Sequence, residues 1–296
     1  MKALSVFLLT ALISVSAKAQ VSISADYIAP SKYRDVNNNK TGAKGDAKHY
    51  QLGFQIPVSL KMDEKEQPTM WSVGLQCSYT SLGTKNSLTD IGSSEIGNLI
   101  VSVDHLRPIS ENWLIYASLG VGVFADHTNF SKIEGQNIMG VGNLIFIRPI
   151  FDNLKVGIGV ALDTEFGYPM LYPAFLINWN LDGKYFITFN PSGLKMGVKM
   201  SDHFNFNIYG TMKGSTAFMK KDGKRMQFSH MYVLAGIQPE FKLGKFSMPI
   251  TIGVSCVRPA YYEERTIKGF WDVYTREYDP YYSISPAISV ALQYGF

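Results

Sequence analysis

Apolar and small residues alternate along most of this chain, and that alternation limits its possible folds more than any other feature. In the closing stretch Tyr282, Ile284, Pro286, Ile288, Val290, Leu292, Tyr294 and Phe296 form one series, with Ser283, Ser285, Ala287, Ser289, Ala291, Gln293 and Gly295 between them. A period of two sends successive side chains to opposite faces of a strand. The same contrast recurs upstream. Tyr50, Leu52, Phe54 and Ile56 alternate with Gln51, Gly53 and Gln55, and Trp71, Val73, Leu75 and Cys77 with Ser72, Gly74 and Gln76. Ile115, Ala117, Leu119 and Val121 alternate with Tyr116, Ser118 and Gly120, and Met248, Ile250, Ile252, Val254 and Cys256 with Thr251, Gly253 and Ser255.

A soluble sandwich alternates too, but its second face carries Lys, Glu and Arg. Here that face is Gly, Ser, Ala, Gln and Asn, and charged residues make up only 18% of the chain, against about 25% in ordinary globular domains. One large apolar face and one small, mildly polar face suit a barrel that meets lipid outside and a lumen inside. Strands can cross lipid only as a closed barrel, because every backbone group must be satisfied. No apolar run after residue 20 is long enough for a transmembrane helix.

The predicted strands are 21–29, 47–61, 68–80, 94–106, 112–126, 137–150, 154–164, 171–180, 184–190, 193–200, 203–218, 226–242, 245–260 and 281–296. Short turns fall near 63–67, 108–112, 151–153, 182–183, 201–203 and 243–244, all on one side. The long connections 30–46, 81–93, 127–136 and 261–280 fall on the other. The pieces on either side of Asn190-Pro-Ser-Gly193 are shorter than the roughly 9–11 residues a spanning strand needs. Two counts therefore remain, fourteen strands or twelve plus a short hairpin. The fold class is all-β, a single closed antiparallel transmembrane barrel of 12–14 strands, and residues 20–296 form one domain.

Residues 1–19, MKALSVFLLTALISVSAKA, read as a cleavable leader. Lys2 is the basic region, Ala3–Val15 the apolar one, and Ala17-Lys18-Ala19 the cleavage site, so the predicted mature chain starts at Gln20. The two cysteines, Cys77 and Cys256, are too few for a disulfide framework and are read as unpaired thiols. A net charge of +4 is too mild to suggest nucleic acid. Trp71, Trp113, Trp179, Tyr185, Tyr281, Tyr282, Tyr294 and Phe296 stand near strand ends, where amphipathic rings favour a membrane–water boundary.

The leader, the unbroken run of alternating strands and the terminal Tyr294-Gly295-Phe296 together resemble a Gram-negative outer-membrane β-barrel, most closely the uncharacterised Bacteroidetes-type barrels. The resemblance covers the whole mature chain. It implies export to the outer membrane, contact with outer-membrane lipids, and recognition of the last strand, ending at Phe296, by the barrel-assembly machinery. It implies no activity and no oligomeric state.

Little in the sequence carries chemistry. His49, His105, His127, His203 and His230 have no zinc-like spacing, and no metal ligand, cofactor-binding residue or catalytic residue is assigned. One group is notable: Asp126, His127, Thr128, Asn129 and Ser131 cluster at a predicted outer rim, where a His/Ser pair would suit an outer-leaflet lipid hydrolase. A triad is identified by geometry, so this stays the alternative. The leading expectation is a passive pore, transport or structural barrel. No N-terminal plug domain is expected, and inward Tyr116, Phe124, Tyr209, Tyr232 and Glu240 either narrow the lumen or fill it. Residues 261–280 mix aromatics with charges and read either as a lid over the mouth or as a binding surface.

Overall fold

The computed structural model describes residues 19–64, 67–85, 93–164, 169–275 and 277–295. Phe296, and all of the predicted leader except Ala19, lie outside the described residues. The strands are β1 (Gln20–Arg34), β2 (Lys40–Met62), β3 (Pro68–Lys85), β4 (Glu95–Ser110), β5 (Trp113–Ala125), β6 (Ile138–Phe151), β7 (Leu154–Asp163) and β8 (Met170–Leu181). They continue as β9 (Tyr185–Asn190), β10 (Gly193–Ser201), β11 (Phe204–Lys221), β12 (Lys224–Leu243), β13 (Phe246–Ser255), β14 (Arg258–Glu264), β15 (Tyr281–Tyr282) and β16 (Ser285–Tyr294). One helix, α1 (Ile267–Thr275), follows β14.

All of these strands belong to one 16-stranded antiparallel sheet. Each strand from β1 to β12 pairs with the next, β13 pairs with β16, and β16 pairs with β1. The ring of hydrogen bonds therefore passes through fourteen strands. β14 and β15 prolong β13 and β16 toward the loop end, where β14 pairs with β12 and β15 with β1. The predicted strand 245–260 is thus broken at Cys256 and Val257. There Cys256 N donates to Val233 O and Val233 N donates to Val257 O, so the extra residue bends the strand without leaving that backbone unmet.

Two further expectations change. The span 30–46 is largely ladder rather than loop: β1 and β2 run out to a turn in which Asp35 Oδ1 accepts from Asn37 N and Asn39 N, and Asn38 takes φ 61°. Polar residues on both faces read as a loop, yet they equally suit a strand pair standing in water. The 184–200 segment is part of the ring, with β9 paired to β8 and β10 to β11, so fourteen strands is the correct count for that belt.

The alternation sorts the faces as expected. Ile23 and Tyr27 are exposed outward while Asp26 and Ile28 are buried. Val101 and Val103 are exposed and Asp104 is buried. At the short-turn end an outward aromatic band forms. Trp71 stacks on His105 with centroids 4.0 Å apart, Arg148 lies 5.6 Å from the Trp113 ring, and Phe246 meets Tyr294 at 4.9 Å. Tyr282 does not belong to such a band. It is 3% exposed and lies over Gly45, where a Cβ would collide with its ring. Among the described residues no helix is long and apolar enough to cross a membrane.

Candidate functional site

The site is the lumen, and what decides its character is a departure of β11 and β12 from the wall. A wall strand buries one face and exposes the other. From Ser215 to Phe218, and again from Gln227 to His230, every residue is buried. This part of the β11–β12 hairpin is enclosed on both faces because it folds into the barrel. One face, with Ala217 and Phe228, packs on Tyr33, Ala43, Ile96, Ala260 and Tyr282. On the other, Phe218 meets Phe124 at 5.3 Å and Arg265 lies 3.8 Å from its ring centroid. Burial beside Arg225 holds the Arg265 pKa below its ordinary value.

Polar ties fix the hairpin. Lys213 Nζ donates to Asp26 Oδ2 at 2.8 Å, and Tyr232 OH donates to the same oxygen. Thr80 Oγ1 and Ser215 Oγ lie 2.6 Å apart, and His49 Nδ1 lies 2.8 Å from Thr80 Oγ1. The outer edge of β11 is met by two carboxamides. Asn98 Nδ2 donates to Thr216 O at 2.7 Å while Asn98 Oδ1 accepts from Thr216 N at 3.4 Å, and Asn137 Nδ2 donates to Phe218 O. A buried strand edge needs such partners, because an unmet backbone group is costly. Near the loop end the β11–β12 hairpin thus lies across the lumen.

Between the hairpin and the short-turn end two polar cavities remain. One, of about 370 Å³, is lined by Gln20, Gln55, Gln76, Asp104, Tyr116 and Asp163 among others. Tyr116 OH donates to Asp104 Oδ1 at 3.2 Å there. The second, of about 570 Å³, carries Asn178, Asn190, Lys195, Lys199, Glu240 and Lys242. Its organising group is Glu240. Ser247 Oγ donates to Oε1 at 2.7 Å, Asn205 and Asn207 each donate to Oε2 at 3.2 Å, and Lys195 Nζ lies 3.8 Å away. Asn207 reaches Glu240 from beside Gly197, where a Cβ would strike its side-chain oxygen. Ser192, at the tip of the β9–β10 hairpin, lines both cavities.

The residues singled out from the sequence fare unevenly. Tyr116, Phe124, Tyr209, Tyr232 and Glu240 all point inward; Phe124 and Tyr232 are fully buried, and Tyr116, Tyr209 and Glu240 line the cavities. His127 and Ser131 lie on one depression, but the Ser131 hydroxyl donates to Asn129 Oδ1 at 2.7 Å. His127 Nε2 is 3.9 Å from Asp126 Oδ1, and its buried Nδ1 has no partner. No nucleophile–base hydrogen bond joins Ser131 to His127. Among the described residues no group of three or more His, Cys, Asp or Glu could hold a metal ion. Cys77 and Cys256 are free thiols. The sequence reading missed the roles of Asn98, Asn137, Lys213 and Ser215. The one local signal was that 213–230 loses the apolar/small contrast of the wall strands.

Residues 15–295 match the family described as a domain of unknown function, DUF6268, and the chain belongs to that family. No curated protein matches it. Among solved structures, the COG4313 outer membrane channel from Pseudomonas putida F1 is similar over 94% of this chain and 95% of that one, at 7% identity and a TM-score of 0.50. A TodX monoaromatic hydrocarbon channel variant covers 96% and 92% at 8% identity, with a TM-score of 0.44. The NanC porin covers 93% and 100% at 7% identity, with a TM-score of 0.37. At these identities the likeness concerns the fold: the first of these structures shares the barrel architecture with this chain.

Proposed function

We propose that this DUF6268 member is a passive transport barrel of the outer membrane, exported by cleavage after Ala19 and inserted by the barrel-assembly machinery through its last strand. The observation that carries the reading is the pair of polar cavities inside a closed ring of strands, reaching Gln20, Asn180 and Lys242 at the short-turn end. On this reading that end faces the periplasm and the hairpin end faces outward, the orientation in which short turns lie inside and long loops outside. The channel character of the COG4313 barrel, similar in fold, supports the same assignment. An apolar outer face with the Trp71–Trp113–Tyr294 band at its inner rim fits a lipid setting.

Lining chemistry sets what can pass. Lys195, Lys199 and Lys242 against Glu240 give the larger cavity a positive balance, while the smaller one carries Asp104 and Asp163. Hydroxylated and anionic solutes are matched by the carboxamides and ammonium groups of the larger cavity. Purified protein in planar bilayers tests this. Discrete ion-conducting events are expected, and a folded, inserted protein with no conductance would remove transport as its role.

A further inference from the structure

We infer that solutes pass between this lumen and the outside through the barrel wall, over the β9–β10 hairpin, and that the opening suits small amphiphiles with an anionic head. The inference rests on the transport reading above and adds the route and the class of solute.

The ring is complete only at the level of β9 and β10. The β8–β9 ladder reaches no higher than Ile177 and Phe189, and the β10–β11 ladder no higher than Gly193 and Thr211. Above those pairs, among the described residues, β8 continues to Met170 along β7 and β11 continues to Lys221 along β12. No pairing joins β8 to β11. At about 3.3 Å per residue, the stretch 170–176 leaves roughly 23 Å of strand beside the opening.

β11 does not lean back to close this gap. Its free edge is held on the far side of the lumen, where Asn98 of β4 and Asn137 take the backbone of Thr216 and Phe218. The same movement that blocks the axis therefore opens the wall. Both cavities come to the sill of the gap at Ser192, which is itself exposed. Lipid does not tolerate an open sheet edge, which persists at membrane depth only where it lines a polar space.

The chemistry on the two sides of the sill differs. Outward on β8, Leu171 and Phe175 are exposed apolar side chains, 68% and 46% accessible. Inward, below the sill, lie Thr188, Asn190 and Lys195. A molecule crossing from one to the other needs an apolar body and a head that hydrogen-bonds or carries negative charge.

The Thr80–Ser215 contact supplies the test. With Cys77 and Cys256 changed to Ser, Thr80→Cys and Ser215→Cys place two thiols where hydroxyl oxygens lie 2.6 Å apart, so oxidation locks the hairpin across the axis. The probe is octyl sulfate at micromolar concentration, permanently charged and slow to cross bare lipid, and the readout is its uptake by proteoliposomes. Uptake is expected to be the same in the oxidised and reduced protein, and to be lost in Ser192→Trp that still folds. Uptake abolished by oxidation and restored by reductant would place the route along the axis and overturn the inference. Wild-type rates in Ser192→Trp would also overturn it, as would a barrel that conducts ions and takes up no octyl sulfate. A failure of the transport reading itself is distinguishable, because it appears as absence of ion conductance in the unaltered protein.

Discussion

The Asn98 carboxamide holds the backbone of Thr216 as a neighbouring strand would, donating from Nδ2 to Thr216 O at 2.7 Å and accepting from Thr216 N at 3.4 Å. One side chain thereby meets the donor and the acceptor that β11 exposes on leaving the wall. Asn98→Ala leaves both groups unmet inside the barrel. The expected cost is about 1–3 kcal/mol, read as a lower midpoint for loss of the compact, heat-modifiable gel band. Asn98→Asp keeps the acceptor but turns a carboxylate oxygen toward Thr216 O, and is expected to cost at least as much as Asn98→Ala. A midpoint unchanged in Asn98→Ala would mean that the hairpin does not depend on this contact.

Asp26 and Lys213 tie β1 to β11 inside the barrel, at 2.8 Å, with the Asp26 side chain 2% exposed. Removing one member of a buried pair costs about 3–5 kcal/mol, because the other charge loses its partner. Asp26→Asn and Lys213→Met are each expected to destabilise the protein, and the double variant to be milder than the sum of the two. Additive effects in a double-mutant cycle would show that the pair is not coupled.

Among the described residues, Glu240 is the one carboxylate lining the larger cavity, against Lys195, Lys199 and Lys242. Glu240→Gln is expected to move the reversal potential in a salt gradient toward greater anion preference, and Lys195→Gln to move it the other way. Identical reversal potentials for wild type and both variants would place the ion path outside this cavity.

Cys77 faces outward on β3 between Leu52 of β2 and Leu99 of β4. In proteoliposomes a charged maleimide is expected to leave it unmodified while a neutral, lipid-soluble maleimide reaches it. Fast modification by the charged reagent would show that this face is wet.

Much of the fold was legible because the signal is local. The apolar/small alternation assigns a face to each residue without reference to any partner, and all fourteen predicted strands correspond to strands of the ring or their continuations. A closed ring also requires the last strand to meet the first, and Val21 pairs with Tyr294 and Ile28 with Ala287. The lumen was only half legible. Tyr232 and Glu240 were read as inward residues, but nothing local distinguishes an inward residue on the wall from one on a strand that has crossed the lumen. His127 and Ser131 show the converse: they are near in sequence, but the Ser131 hydroxyl donates to Asn129 Oδ1.

By itself, then, the sequence determined the class, the approximate place of each strand and which side chains face outward, because a period of two is a property of neighbouring residues. Only the tertiary structure decided that the β11–β12 hairpin folds into the lumen and that, among the described residues, β8 and β11 stay unpaired above the β9–β10 hairpin. That outcome depends on where the β9–β10 ladder stops and on contacts such as Asn98 with Thr216 and Thr80 with Ser215, which join residues far apart in the chain. A short hairpin in one part of the chain leaves an edge in another, and the edge settles wherever its backbone groups are met.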